Sequence, residues 1–468
     1  FTHLEFKPIL RRILTDIQPT VQPVTEKAEE RCRGIQSSEI CPTHPQVDSS
    51  SQWSGHSRGD LLLMARYILT GLVLACAMTV VVKAVPADHS SLANPNGSRA
   101  VSTLQFVVAI SRHGNRGPLV TYPNSPYQWD DTKVWPYGVE HLTQKGHIQM
   151  FNLGKKFRSL YNGFLGVNYR PGEFQALSTL TDRTLQSAEL FLAGLFPPSG
   201  FQVWNKDLLW QPVPVFPNLL DRNDMVMQSG PNLCPKFREA QNKPEKQFEQ
   251  ENDSELDDLV EYVQPYLGYG TDKYDRISKS IGNVPRIFIL FSLWESFAYP
   301  EGEGLPLPDW SKKVYPEPIT SLLSKLFQAS AIGSYEQIRY LEGEMFEEIV
   351  DRMLAKVTNT LESARQMVYY SGHDHTLLGL LAILGLTRDL GVVRPGSALV
   401  LELHKDSADQ TFYVQVLYID GASPDLEPSP IDIPDCGSPC GLRRLLNFTE
   451  KYYNITDYQK ECEVHPVT

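Results

Sequence analysis

From about Thr103 onward, short apolar runs alternate with segments of helical period. Leu104-Gln105-Phe106-Val107-Val108-Ala109 is short and nearly continuous in apolar character, which predicts a buried strand. The Gly/Asn/Pro cluster after it predicts a sharp turn. Thr143 to Tyr161 places Ile148, Phe151, Leu153, Phe157 and Leu160 near helical spacing and predicts a helix with these residues inward. Phe174 to Ser178 predicts a short strand. Thr181-Asp182-Arg183 opens a helix to about Leu195, with Thr181 or Asp182 as its cap, and Phe196-Pro197-Pro198 stops it. Further on, Ser334 to Gln366 predicts a helix, Met367 to Tyr370 a strand and Thr376 to Leu386 a buried helix. Two strands follow near Ala398–Leu403 and Thr411–Ile419, then a Pro-rich loop from Ser423 and a last helix after Cys440. This succession predicts an α/β fold with a mixed, mostly parallel central sheet flanked by helices.

The pattern changes between about 211 and 345. Prolines are frequent there, Glu239 to Asp258 is highly charged, and several segments are amphipathic. This predicts a smaller helical cap, inserted into an α/β domain formed by residues 103–210 and 346–462. Residues 1–63 are polar, rich in Ser, Pro and Gln, and without sustained period, as in a disordered or non-native leader. Met64-Ala65-Arg66, the apolar run Tyr67 to Val82, and the small residues Ala84 and Ala87 follow the order of a secretory signal at 64–87. The rival reading is an uncleaved membrane anchor. Shortness and the interruptions at Thr70, Gly71 and Thr79 count against a span, so no stable membrane anchor is expected once the signal is cleaved.

A secretory route implies a secreted or lysosomal product. The acceptor triplets at Asn96, Asn252, Asn447 and Asn454 fit it as glycosylation sites. Of seven cysteines, Cys234, Cys436, Cys440 and Cys462 lie beyond the leader and the apolar run, an even number suited to an oxidising compartment. Their spacing permits three pairings. In one of them Cys436–Cys440 closes a small loop and Cys234–Cys462 ties the chain end to the middle. The net charge of −12 over 468 residues speaks against a nucleic-acid partner, which usually needs a basic face. It leaves anionic small molecules open, because local arginines decide their binding.

Three segments share the layout strand, polar residues, helix: Arg112-His113-Gly114-Asn115-Arg116, Thr181-Asp182-Arg183 and Gly372-His373-Asp374. If their strands are parallel neighbours, all three meet at the carboxyl edge of the sheet, where open α/β sheets bind ligands. Cations beside an imidazole suit the holding of a phosphate against a nitrogen nucleophile. Each residue alone has a plainer reading: Arg183 pairs with Asp182, Asp374 caps the helix after it, and the histidines are structural. His373, Asp374, His375 and His113 can also be drawn as metal ligands, but three arginines would repel a cation, so no metal is expected.

At these residues the chain resembles the histidine acid phosphatases, a branch of the superfamily that includes the phosphoglycerate mutases. The family signature RHGxRxP stands here as Arg112 to Pro118, and its distal HD as His373-Asp374. Leu142 to Gly146, Asp182 to Ala188, Leu195 to Pro198, Leu209 to Pro212 and Cys436 to Cys440 extend the resemblance to the prostatic and lysosomal group, over roughly residues 103 to 462. The resemblance implies a phosphoglycerate-mutase-like fold and an acid phosphatase acting on small phosphomonoesters through a covalent phosphohistidine, with no metal or organic cofactor. His113 would be the nucleophile, Asp374 the acid for the leaving alcohol, and Arg112, Arg116, Arg183 and His373 the phosphate ligands. Three guanidiniums neutralise a phosphate by directional, charge-assisted hydrogen bonds and disfavour protonation of a neighbouring imidazole. A homodimer is implied by the resemblance alone. Alternatives are a lysophosphatidic-acid or phytate-type phosphatase of the same fold, or a catalytically silent secreted binding protein. Two departures stand out. A further cysteine pair usual in the prostatic group is absent, with Trp294-Glu295-Ser296 and Ala398 near its places, and Asn115 replaces the Asp common in relatives.

Overall fold

A computed structural model describes residues 97–227, 234–270, 272–360, 364–386, 391–437 and 439–464. The leader 1–63, the apolar segment 64–87 and Asn96 lie outside the described residues. Eleven strands are present among the described residues: β1 (Leu104–Arg112), β2 (Phe174–Ser178), β3 (Val215–Pro217), β4 (Tyr274–Asp275), β5 (Ser280–Ile281), β6 (Val284–Pro285), β7 (Met367–Gly372), β8 (Ala398–Lys405), β9 (Phe412–Ile419), β10 (Ser429–Ile431) and β11 (Cys440–Gly441).

The main sheet has the order β10-β9-β8-β1-β7-β2-β3, with β11 also paired to β9, while β4, β5 and β6 make a separate antiparallel patch. The pairs β1–β7, β7–β2 and β2–β3 are parallel, and β1–β8, β8–β9 and β9–β10 are antiparallel. Every residue of β1 except Gln105 is buried, as its unbroken apolar run requires of a strand covered on both faces. Strand β3 falls within the stretch read as helical. Its three residues, one of them a proline, are too few to register as a period.

Helices α1 (Gln144–Leu160) and α2 (Asp182–Leu195) cover one face. Met150, Leu153, Phe157, Phe191 and Leu195 join Val107, Met367 and Tyr369 in the core there. Ile148 and Phe151 do not face inward as expected. They are 53 % and 40 % exposed, because Gly146, Met150, Leu153, Phe157 and Leu160 set the buried stripe. Between 211 and 345 come α3 (Pro235–Glu251), α4 (Asp253–Leu267), α5 (Arg286–Gly302) and α6 (Ile319–Ile332). Then come α7 (Tyr335–Val357), α8 (Asp374–Ile383) and α9 (Leu442–Tyr453). Helix α7 packs on α8 and α9, and both α7 and α8 touch β1. It ends at Val357, short of the expected Gln366: Thr358 Oγ1 bonds back to Leu354 O, and Asn359 turns left-handed at φ 54°.

At the amino end of β1 lies a buried ionic network. Arg99 donates to both oxygens of Glu402, through Nε at 2.6 Å and Nη2 at 2.5 Å, and to Gln415 Oε1 at 2.7 Å. Tyr161 donates to Glu402 Oε1 at 2.8 Å, and His404 Nε2 lies 3.2 Å from Glu402 Oε2. Every carboxylate lone-pair direction therefore meets a donor, as burial of a charge demands. Cys234–Cys462 and Cys436–Cys440 are both bonded, with Cα separations of 5.0 Å in each.

Candidate active site

The register of the parallel strands brings three loops to one level. Arg112 stands opposite Gly372, and Ser111 and Ser178 both stand opposite Ser371. The chain leaves these strand ends as Arg112-His113, Thr179 to Arg183, and Gly372-His373-Asp374. On the far side of β1 the next strand runs antiparallel, so the three loops open beside a change of strand direction, the usual place for a ligand crevice.

His113 is buried, and its backbone N–H donates to Gly372 O at 3.0 Å, which ties the first loop to the third. Its Nδ1 lies 2.8 Å from Gly114 O. A carbonyl only accepts, so Nδ1 carries the proton and Nε2 presents a lone pair. Gly114 is required by close approach: a Cβ there would stand 2.5 Å from Gly146 O, where the loop lies on the start of α1. Burial, then the charges of Arg183 and Arg112, hold the His113 imidazole well below its ordinary range. The rings of His113 and His373 meet edge to face, with centroids 5.7 Å apart. His373 precedes α8 as its N-cap, and its Nε2 lies 3.0 Å from Thr179 Oγ1 at the end of β2. Burial first, with Arg183 second, pushes His373 down to about 3.

Each of the three arginines meets an internal carboxylate. Arg112 Nη2 is 3.1 Å from Asp374 Oδ2 and 3.2 Å from the Tyr299 hydroxyl, and its Nη1 donates to Val393 O. Arg116 forms a two-pronged pair with Glu295 of α5, at 2.8 and 2.9 Å, and lies 4.2 Å over the Tyr299 ring. Arg183 donates to Glu140 Oε2 at 2.7 Å. Burial works against the Arg116 charge, but Glu295 outweighs it and raises that group further above its ordinary value. Arg183 is lowered, by burial and then by Arg116. Burial works to raise Asp374, but Arg112 and His375 outweigh it and hold the carboxyl well below the usual range. Tyr299, buried between the two guanidiniums, is pushed up to about 12 mainly by burial.

All six residues singled out from the sequence therefore gather here. The plain readings fare differently. Arg183 pairs with Glu140 rather than Asp182, which faces His141 at 3.9 Å. Asp374 follows the N-cap, and its Oδ1 accepts from the His375 N–H at 2.9 Å. Among the described residues no three His, Cys, Asp or Glu side chains converge as metal ligands would.

Glu295, Tyr299, Glu140 and Glu303 had no signal as site residues. Glu303 accepts from the Asn115 Nδ2 and, at 2.6 Å, from Thr143 Oγ1, so Asn115 supplies a donor where an Asp would place a second acid. Of the glycosylation candidates, Asn447 and Asn454 are exposed. Asn252 is buried, with Nδ2 donating to Phe248 O at 2.8 Å and Oδ1 accepting from Lys325, a geometry that disfavours a glycan. Among the described residues no helix is long and apolar enough to cross a membrane.

Residues 103–419 match the histidine phosphatase superfamily (branch 2). The chain is 31 % identical over 369 residues to the lysosomal acid phosphatase of Homo sapiens, covering 77 % of this chain and 81 % of that protein. It is also 31 % identical over 369 residues to the prostatic acid phosphatase of Rattus norvegicus, covering 77 % and 89 %. In fold it is similar to the Hafnia alvei phytase in complex with tartrate, with a TM-score of 0.57, 19 % identity and coverage of 75 % of this chain and 97 % of that one. The Citrobacter braakii phytase gives 0.55, 20 %, 77 % and 99 %. With the signature at the end of β1, the distal pair at the head of α8 and a match over most of the chain, this protein belongs to the histidine phosphatase superfamily, branch 2.

Proposed function

We propose that the protein is an acid phosphatase that hydrolyses phosphomonoesters through a phosphohistidine on His113. The observation that carries the reading is a neutral, buried imidazole with Nε2 free for attack, set among Arg112, Arg116 and Arg183. Nε2 attacks phosphorus as the bond to the ester oxygen breaks, and the leaving alcohol takes a proton from Asp374. Water then attacks the phosphohistidine, gives a proton to Asp374, and inorganic phosphate leaves.

Asp374 must be protonated for the first step, yet in the empty site Arg112 and His375 keep it ionised. An arriving phosphate draws the Arg112 charge to itself and sets negative charge beside the carboxyl, which raises its proton affinity. A monoanionic ester, abundant in mildly acidic medium, brings the proton along. Relatives named lysosomal and prostatic acid phosphatases support a secreted or lysosomal product, and on that route the signal at 64–87 would be cleaved and the exposed Asn447 and Asn454 would be the acceptors for glycans.

A homodimer, implied by the resemblance alone, would need exposed apolar surface, and Phe216 on the edge strand β3 offers some. The deciding experiment is a p-nitrophenyl phosphate assay at pH 5 with and without chelator, on wild type and His113→Ala. Chelator-resistant turnover, lost in the variant, supports the reading. Equal activity of the two proteins would refute it.

A further inference from the structure

The three candidate phosphate-binding arginines are not three free charges. Arg112 faces Asp374, Arg116 faces Glu295, and Arg183 faces Glu140. The first carboxyl takes part in the proposed chemistry. The second is buried and holds Arg116 through both oxygens, while also accepting from Leu119 N–H at 2.7 Å. The third differs from both. The Glu140 side chain is 39 % exposed, and among the described residues its hydrogen-bond partner is Arg183, at 2.7 Å.

The backbone sets Glu140 apart as well. Its φ is 61°, in the left-handed region where a residue with a long side chain is uncommon and strained. Strained residues of this kind collect at functional sites because the surrounding structure holds them there for a purpose. His141 follows it, with Nδ1 3.9 Å from Oδ2 of the well-exposed Asp182. A ligand reaching Arg183 must displace or share the Glu140 carboxylate.

Resting on the phosphatase reading, we propose that Glu140 is a specificity-determining residue that selects single phosphomonoesters of uncharged alcohols over polyphosphorylated substrates. One phosphoryl group fits a cradle whose guanidinium charges are already balanced: it exchanges places with Glu140 on Arg183 and with Asp374 on Arg112. A second or third phosphate on the same molecule gains no new cation. It instead meets the displaced Glu140 carboxylate, a like charge only partly screened at this half-exposed position.

The test is steady-state kcat/KM for β-glycerophosphate and for myo-inositol hexakisphosphate at pH 5, on the full chain. The proteins are wild type, Glu140→Gln, Glu140→Asp and Glu140→Gly. The Gln variant removes the charge and keeps the size, Asp keeps the charge, and Gly removes both the charge and the backbone strain. The expected result is a rise on the order of tenfold in the hexakisphosphate-to-glycerophosphate ratio for Gln and Gly alike, and no rise for Asp. A ratio for Gln within about twofold of wild type, or a rise confined to Gly, would overturn the proposal. If wild type turns over neither ester, the phosphatase reading itself has failed. Calorimetric titration with inorganic phosphate then still decides the role of Glu140: tighter binding by the Gln variant supports it, and equal binding overturns it.

Discussion

Glu295→Gln isolates the contribution of the one fully buried carboxylate at the site. Glu295 is 1 % exposed and serves three donors: Arg116 Nη1 and the Leu119 N–H on Oε2, and Arg116 Nη2 on Oε1. A glutamine oriented to keep its oxygen in the Oε2 position retains two of these contacts. Its amide nitrogen then confronts Arg116 Nη2, donor against donor, and the guanidinium loses its counter-charge. One charged hydrogen bond is worth about 1.5–3 kcal/mol, and breaking a buried ion pair costs about 3–5 kcal/mol. The retained contacts place the expected loss near the lower end, about 3 kcal/mol.

Urea unfolding followed by tryptophan fluorescence measures this loss, with slope and midpoint fitted separately. Because Arg116 also loses its fixed orientation, kcat/KM should fall about 100-fold, as when one preorganised donor is removed. A stability loss under about 1 kcal/mol would refute the claim that the charge pair is what holds Arg116. A normal loss with unchanged kcat/KM would refute the link between that pair and the chemistry.

Four further outcomes are expected. Because burial and the neighbouring arginines hold the His113 imidazole well below its ordinary range, and His373 near 3, kcat/KM should not fall on that account as pH drops through 6.5, and an inflection there would contradict the assignment. By the same shifts the unfolded chain takes up protons that the folded one refuses, so thermal stability should decline as pH falls from 6.5 toward 3, and His373→Gln should flatten that decline. Asp374→Asn should slow an alkyl phosphate by about 1,000-fold and p-nitrophenyl phosphate far less, since a good leaving group needs no proton; equal losses on both esters would remove Asp374 from the acid role. Replacing both cysteines of Cys234–Cys462 by serine should cost about 5 kcal/mol and replacing those of Cys436–Cys440 about 2 kcal/mol, following spans of 228 and 4 residues, and calorimetric melting checks the order.

What the sequence made legible was whatever sits next to a strand. Arg112 ends β1, His113 follows it, His373 and Asp374 follow β7, and Arg183 lies in the first turn of α2 after β2, so pattern and motif located all of them. The residues that complete the site come from elsewhere. Glu295 and Tyr299 lie on α5, a helix so uniformly apolar that a buried acid and phenol have no periodic signature, and Glu140 sits in a turn whose left-handed backbone no composition rule marks. Local error had a local cause. Ile148 and Phe151 look inward by spacing, yet the glycine at 146, which lets α1 touch the signature loop, turns the helix so that its small residue faces in. The short edge strand β3 and the end of α7 were hidden for a similar reason. Both depend on pairing or capping partners rather than on hydrophobic period.

The knot of polar groups around Glu402 has a bearing on maturation. Ser98 Oγ donates to Leu160 O at 3.3 Å, and the Arg99 backbone N–H to the same oxygen at 2.7 Å, before the guanidinium reaches inward. Removal of this arm from the amino side should therefore destabilise the fold. One cut beyond Arg99 would take the guanidinium from a buried carboxylate and a buried amide at once.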